Sequence, residues 1–194
     1  MEHLDPRIVR TREAVLDAAT ALLVEGGPDA VTMDGVVQRS GVAKSTIYRH
    51  WSGRDELLTE VFDHNAPHID TPPVELGFRE ALEYVMAQVV DALNDPRWSE
   101  LMPALMLLKM HEAGPARLEA ELKDEQAQAL TEALRRGVAE GVVAEDCTRQ
   151  QAMVLLIGPL VFARISGLVQ LDTGLAKRAV TGFLAVYGTQ HAGV

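Results

Sequence analysis

The chain has 194 residues, 47% of them hydrophobic and 5% aromatic, with 18 basic against 28 acidic side chains and a formal net charge of −10. That length can bury a substantial core in one or two domains, and the acidic balance excludes a protein that holds nucleic acid by bulk attraction. The single cysteine, Cys147, excludes an internal disulfide; set among Glu145, Asp146 and Thr148 with no second ligand nearby, it reads as a spectator thiol. Met1 to Arg12 holds Glu2, Asp5, Arg7, Arg10 and Arg12 and no apolar stretch, which predicts no secretory signal and a cytoplasmic location. The longest apolar stretch, Ala152 to Ala163, contains Gly158 and Pro159 and stops at Arg164, too short to span a bilayer.

The first predicted helix runs from about Ile8 to Val24, with Val15, Ala18, Ala19 and Leu22 on one face, and stops at Glu25-Gly26-Gly27-Pro28. The second begins at Thr32, whose hydroxyl can accept a bond from a free N–H one turn in. Met33, Val36 and Val37 give it an apolar face, while Gly35 costs it on the order of 1 kcal/mol against alanine. Gly41 ends it in the left-handed backbone that glycine takes without strain, and Val42 plugs the turn into the core.

A third, short helix runs from Ala43 or Lys44 to His50. Ile47 and Trp51 are four apart and share an inward face, which leaves Lys44, Ser45, Thr46, Tyr48, Arg49 and His50 mostly outward. Two short helices joined by a tight turn, the second crowded with hydrogen-bonding side chains, have the build of a helix-turn-helix that reads double-stranded DNA. Lysine and arginine suit guanine edges and phosphates, hydroxyls bond several edges, and tyrosine and histidine bond phosphate while covering sugar. Between Gly35 and Arg54 there are four basic residues and no carboxylate, whereas the chain from Val61 onward carries 11 basic and 18 acidic ones. The expectation is a local positive face on an acidic body, with geometry-limited, salt-dependent binding. A fourth helix starts near Gly53, with Asp55 and Glu56 favourable to its dipole and Arg54 at its tip beside any phosphate bound there.

Residues 65–77 hold three prolines and mark a domain boundary, giving residues 1–64 as the DNA-binding domain, with the fourth helix as connector, and 65–194 as a second domain. His64 and His68 have a zinc-like spacing, but Pro67 interrupts the helix between them and no third ligand is evident, so neither metal nor cofactor is expected. Five more helices follow, at about Phe78–Leu93, Arg97–His111, Pro115–Glu140, Arg149–Leu171 and Leu175–Gly188, for an all-α fold of about nine helices. The apolar run 152–163, with Leu155 in it, and the stripe Leu175, Val180, Phe183, Leu184 and Tyr187 nominate the last two helices for a homodimer interface; the other reading is intramolecular core. Met102, Met106 and Met110 recur at four-residue spacing, with Met86, Met153 and Phe162 as neighbours from other helices. They suit either core or a pocket for a hydrophobic effector, with His111 and Arg164 as polar anchors and Pro159 as a kink beside it.

Over roughly residues 10–62 the chain resembles the TetR family of transcriptional regulators, through Thr32-Met33, Gly41-Val42-Ala43-Lys44, Ile47-Tyr48-Arg49-His50 and Arg54-Asp55-Glu56-Leu57-Leu58. Trp51 stands where that family usually has phenylalanine. The resemblance implies a dimeric repressor of a near-palindromic operator, released by a small-molecule effector, with the two C-terminal helices of each subunit forming the interface. It also implies that Arg7, Arg10 and Arg12 lie near the DNA backbone or minor groove, although ordinary surface charge explains them as well. A helical enzyme or structural module is the rival class, and no Gly-rich phosphate loop, nucleophile motif or metal cluster in the sequence supports the enzyme.

Overall fold

The computed structural model describes residues 6–111 and 116–189, with the side chains of residues 6, 105, 106, 108–111 and 116–127 outside the description. Its helices are α1 (Pro6–Gly26), α2 (Met33–Ser40), α3 (Lys44–His50), α4 (Arg54–Asn65), α5 (Phe78–Asn94), α6 (Pro96–His111), α7 (Ala116–Ala139), α8 (Arg149–Leu156), α9 (Gly158–Ser166) and α10 (Thr173–Tyr187), with a short 3-10 turn at Pro28–Ala30. The expected nine helices are present, with the eighth divided in two. Pro159, in the first turn of α9, cannot donate to the preceding turn, and the chain breaks at Ile157. It then stops at Ser166 rather than Leu171, because Gly167 takes the left-handed conformation at φ 63°. Among the described residues the one β pairing is an isolated bridge between Val143 and Gly188.

Two compact units divide the chain: residues up to Ala66 together with 100–119, and residues 67–99 together with 120 onward. In the first unit α1 packs on α2 and α4, burying Val15, Leu16, Ala19 and Leu23 with Val36, Leu57, Val61 and Phe62. Asn65 fastens the end of α4 to α1 through a 3.0 Å bond from its amide to the Thr20 hydroxyl.

In the second unit α5 packs on α9 and α10, and α10 also on α8. α5 buries Phe78, Leu82, Val85, Met86 and Val89, a 3.6-period stripe. It meets Leu156 and Leu160 from either side of the break, and Ala176, Val180 and Phe183 from α10. Side chains cap three of the later helices: the Asp95 carboxylate accepts from the Arg97 N–H, Asp172 accepts from the Leu175 N–H, and Thr148 and Gln151 form a reciprocal capping box. Gly137 is required sterically, since a Cβ there would lie 2.6 Å from Val143 and 2.7 Å from the Phe78 ring.

A buried arginine organises the segment that precedes α5. Arg136 on α7 donates to the carbonyls of Pro72, Pro73 and Leu76 at 2.6–2.9 Å, and its Nε donates to Glu132. These carbonyls belong to a proline-rich stretch with few partners of its own, so one guanidinium satisfies what a helix would otherwise supply. Glu132 accepts from Arg135 as well, and the two guanidiniums hold its carboxyl down at about 2. A group depressed in this way contributes stability that is fully present above its ordinary value near 4.5 and is lost as pH falls through about 2. Glu132→Gln is therefore expected to lower the thermal midpoint at pH 7 and to close the gap to wild type between pH 4.5 and 2, as followed by circular dichroism melting.

Candidate nucleic-acid interface

The helix α3 is built from its buried side. Ile47 and Trp51 are 0% and 1% exposed, and they turn Lys44, Ser45, Tyr48 and Arg49 outward, with Thr46 and His50 half-buried at the margins. Gly41 ends α2 at φ 69°, and the Gly41 N–H returns to the Val37 carbonyl, which sets the turn before α3. Thr32 caps α2 by accepting from the Gly35 N–H at 3.0 Å. Gly35, a poor helix former, has a local reason: a Cβ there would lie 2.9 Å from the Thr32 hydroxyl oxygen and 3.6 Å from Leu22 of α1.

A second set of contacts locks this head. The Trp51 indole N–H donates to Glu60 at 2.7 Å, Arg12 pairs with the other oxygen of Glu60, and the Arg12 guanidinium lies 5.9 Å from the Trp51 ring centroid. Arg12 is thus a partner of Trp51 and Glu60, while Arg7 and Arg10 are exposed on α1. Ser52 donates both its N–H and its hydroxyl to Glu56, closing the start of α4.

The charge of the head differs from the sequence expectation. Arg54, expected beside a phosphate, is turned into the fold: its Nε donates to the Val31 carbonyl at 3.0 Å and a terminal nitrogen to the Pro28 carbonyl at 2.8 Å. It ties down the 3-10 turn at both ends, bonding the carbonyl of Val31, the residue that caps the turn, and sharing the Pro28 carbonyl with the Val31 N–H. Arg39 is chelated by Glu25 at the end of α1, a pairing that lowers the Glu25 pKa and raises that of Arg39. Lys44 lies 2.7 Å from Asp34, which raises its pKa, and 5.9 Å from the Tyr48 ring. Arg49 is exposed and has no charged or hydrogen-bonded partner among the described residues. The acid-free window is therefore met by carboxylates from outside it: Asp34, the residue immediately before it, and Glu25 from the end of α1.

The other predicted sets divide. Val180 and Phe183 are 2% and 0% exposed within one protomer and belong to its core, a correction of their reading as interface residues: a side chain already enclosed cannot meet a second copy. Leu155, Leu175, Leu184 and Tyr187 are half-buried, with the Tyr187 ring 5.7 Å from that of Phe183. Of the expected effector set, Met86 and Met102 are buried and Met153 is half-buried, while the side chains of Met106, Met110 and His111 lie outside the described residues. Phe162 is 63% exposed and so closes no pocket in the protomer, and Arg164 donates to the Ser99 hydroxyl at 2.8 Å. A cleft of about 240 Å³ lies elsewhere, lined by Val74, Leu76, Glu132, Arg135, Arg136, Ala139 and Glu140. Among the described residues no group of three or more acidic, histidine or cysteine side chains could hold a metal, and no helix is long and apolar enough to cross a membrane.

Comparison with known proteins matches residues 15–61 to the model of bacterial regulatory proteins of the tetR family, and residues 75–182 to the tetracyclin repressor-like C-terminal domain. The chain is 28% identical over 168 residues to the uncharacterized HTH-type transcriptional regulator YdeS of Bacillus subtilis, covering 81% of this chain and 79% of that one. It is 24% identical to the HTH-type transcriptional regulator SrpR of Pseudomonas putida, over 91% of this chain and 84% of the relative. The solved structure of the flavonoid-responsive regulator FrrA superposes with a TM-score of 0.73 at 21% identity, covering 94% of this chain and 99% of the other, which speaks for the fold.

The inward bonds of Arg54 give a test of its role. Arg54→Met is expected to cost about 1–3 kcal/mol of stability, the penalty for losing both bonds and leaving the part-buried Val31 carbonyl without this donor, measured by urea denaturation with tryptophan fluorescence as the reporter. An arginine that only touched DNA would leave that curve unchanged.

Proposed function

This chain belongs to the TetR family of transcriptional regulators, and from that membership we propose that it is a homodimeric cytoplasmic repressor of a near-palindromic operator, released by a small-molecule effector. The family and the relatives named above are regulators, so the enzyme reading is dropped. The observation that carries the proposal is the outward presentation of Lys44, Ser45, Tyr48 and Arg49 on a helix anchored by Ile47 and Trp51. Tyr48 and Arg49 reach base edges and sugar in the major groove; Lys44, Ser45 and the half-buried Thr46 and His50 hold phosphates. Thr32 serves this face by capping α2.

Dimerisation follows from what α8, α9 and α10 leave uncovered. Val154, Phe162 and Ile165 project from α8 and α9, Val186 from α10, and small Gly158, Gly182 and Ala185 lie exposed among them. An apolar face of this kind, interleaved with residues that allow close approach, suits a second copy of itself, and a two-fold dimer sets two reading helices one or more DNA turns apart. An effector taken up by the second unit lowers operator affinity, and by linkage the operator weakens effector binding by the same factor.

Two measurements test the reading. Tyr48→Ala is expected to weaken binding to DNA upstream of the protein's own coding sequence by about 1–3 kcal/mol with the melting curve preserved, and an unchanged gel shift at moderate salt would count against it. Phe162→Glu should move the protein toward monomer in sedimentation while leaving it helical. Phe183→Ala should instead cost about 3–5 kcal/mol of folding stability. A Phe162→Glu protein that sediments as a dimer places the interface elsewhere.

A further inference from the structure

Lys44 opens α3 with its ammonium already occupied. Its Nζ is 2.7 Å from Oδ1 of Asp34, in the first turn of α2, and the two side chains are 56% and 79% exposed. A pair so open to water adds little to stability, and nothing in the packing of α2 on α3 needs it. Its weight falls on what else these groups meet. A DNA phosphate drawn to Lys44 has to compete with a carboxylate for one ammonium, and when it succeeds it leaves Asp34 uncompensated beside a polyanion.

We propose that Asp34 lowers the affinity of the DNA face: it holds Lys44 in the free protein and must be displaced on docking. The inference rests on the DNA-binding reading of α3. Of the cations in the head, Arg39 is bound by Glu25 away from α3 and Arg49 has no partner among the described residues, so Asp34 is the acid that acts on the reading helix itself. Displaced, its carboxylate recruits a cation from solution, and that uptake cancels part of the counterion release that drives binding. The wild-type salt dependence is therefore shallower than the exposed cations of α3 alone would give.

Full-length wild type, Asp34→Asn, Lys44→Ala and the double variant are titrated by fluorescence anisotropy between roughly 50 and 200 mM salt. The probes are a duplex of about 30 base pairs, selected by the wild type from a randomised pool, and an unrelated duplex of equal length. Asp34→Asn should bind both about two- to tenfold more tightly at low salt, two heads each being freed of one weak ion pair. Its plot of log affinity against log salt should be steeper by about one per head. In the Lys44→Ala background the same substitution should change neither. Asp34→Ser repeats the comparison, so that a folding defect peculiar to asparagine is separable by its melting curve.

The proposal is overturned if Asp34→Asn binds no more tightly. It is equally overturned if that variant loses affinity for the selected duplex alone, which would make the carboxylate a reader of a cytosine amino group, or if the gain persists undiminished without Lys44. A wild type that selects no duplex at all overturns the DNA-binding reading instead.

Discussion

A helix of seven residues has too few internal hydrogen bonds to hold itself in water, so α3 exists because Ile47 and Trp51 are buried against the rest of the head. Everything that α3 shows to solvent follows from that anchoring, since the two buried positions are four apart and fix the rotation of the helix about its axis. Trp51 does more than fill space. Its indole N–H needs a partner once the ring is enclosed, and Glu60 of α4 supplies it while also pairing with Arg12 of α1. One carboxylate thus ties the end of the reading helix to the helices on either side, and the same carboxylate could not serve a phenylalanine, which has no donor to offer.

The head is less positive than its local sequence suggests. Four cations in an acid-free window predict an attractive field, yet Arg54 is turned onto backbone carbonyls, Arg39 is chelated by Glu25 and Lys44 is met by Asp34. With a net charge of −10 on the whole chain, long-range steering toward DNA is weak.

The helices and their ends were legible because they rest on local chemistry. Gly41 and Thr32 bound α2, and Asp95, Thr148 and Asp172 cap the helices after them; Pro159 marks a kink, but periodicity carries that helix unbroken to Leu171, past the break at Ile157 and the end at Ser166. The outward set on α3 was legible for the same reason, being the complement of Ile47 and Trp51. What the sequence hides is long-range pairing. Arg54 meets carbonyls 23 and 26 residues away, and Arg136 reaches carbonyls more than 60 residues back; no spacing rule connects such positions. Gly35 belongs with the local features instead, since a Cβ there would lie 2.9 Å from the hydroxyl oxygen of Thr32, the N-cap of its own helix.

The apolar stripe on α10 shows how periodicity finds a buried face and leaves its partner open between core and a second copy. Ala176, Val180 and Phe183 recur at helical spacing because they face α5 and α8 of the same protomer, and an amphipathic period says only that one side is buried, not by whom. The distinction lies on the opposite face. Val154, Gly158, Phe162 and Ile165 are spaced four, four and three apart, so their outward line continues across the break at Ile157, while Leu156, Leu160 and Ala163 keep an inward line in the same way. A protomer that encloses one line completely and leaves the other bare has separated the residues that fold it from those available for association. Loss of the outer line should then weaken stability only to the extent that association contributes to it, which makes that part dependent on protein concentration.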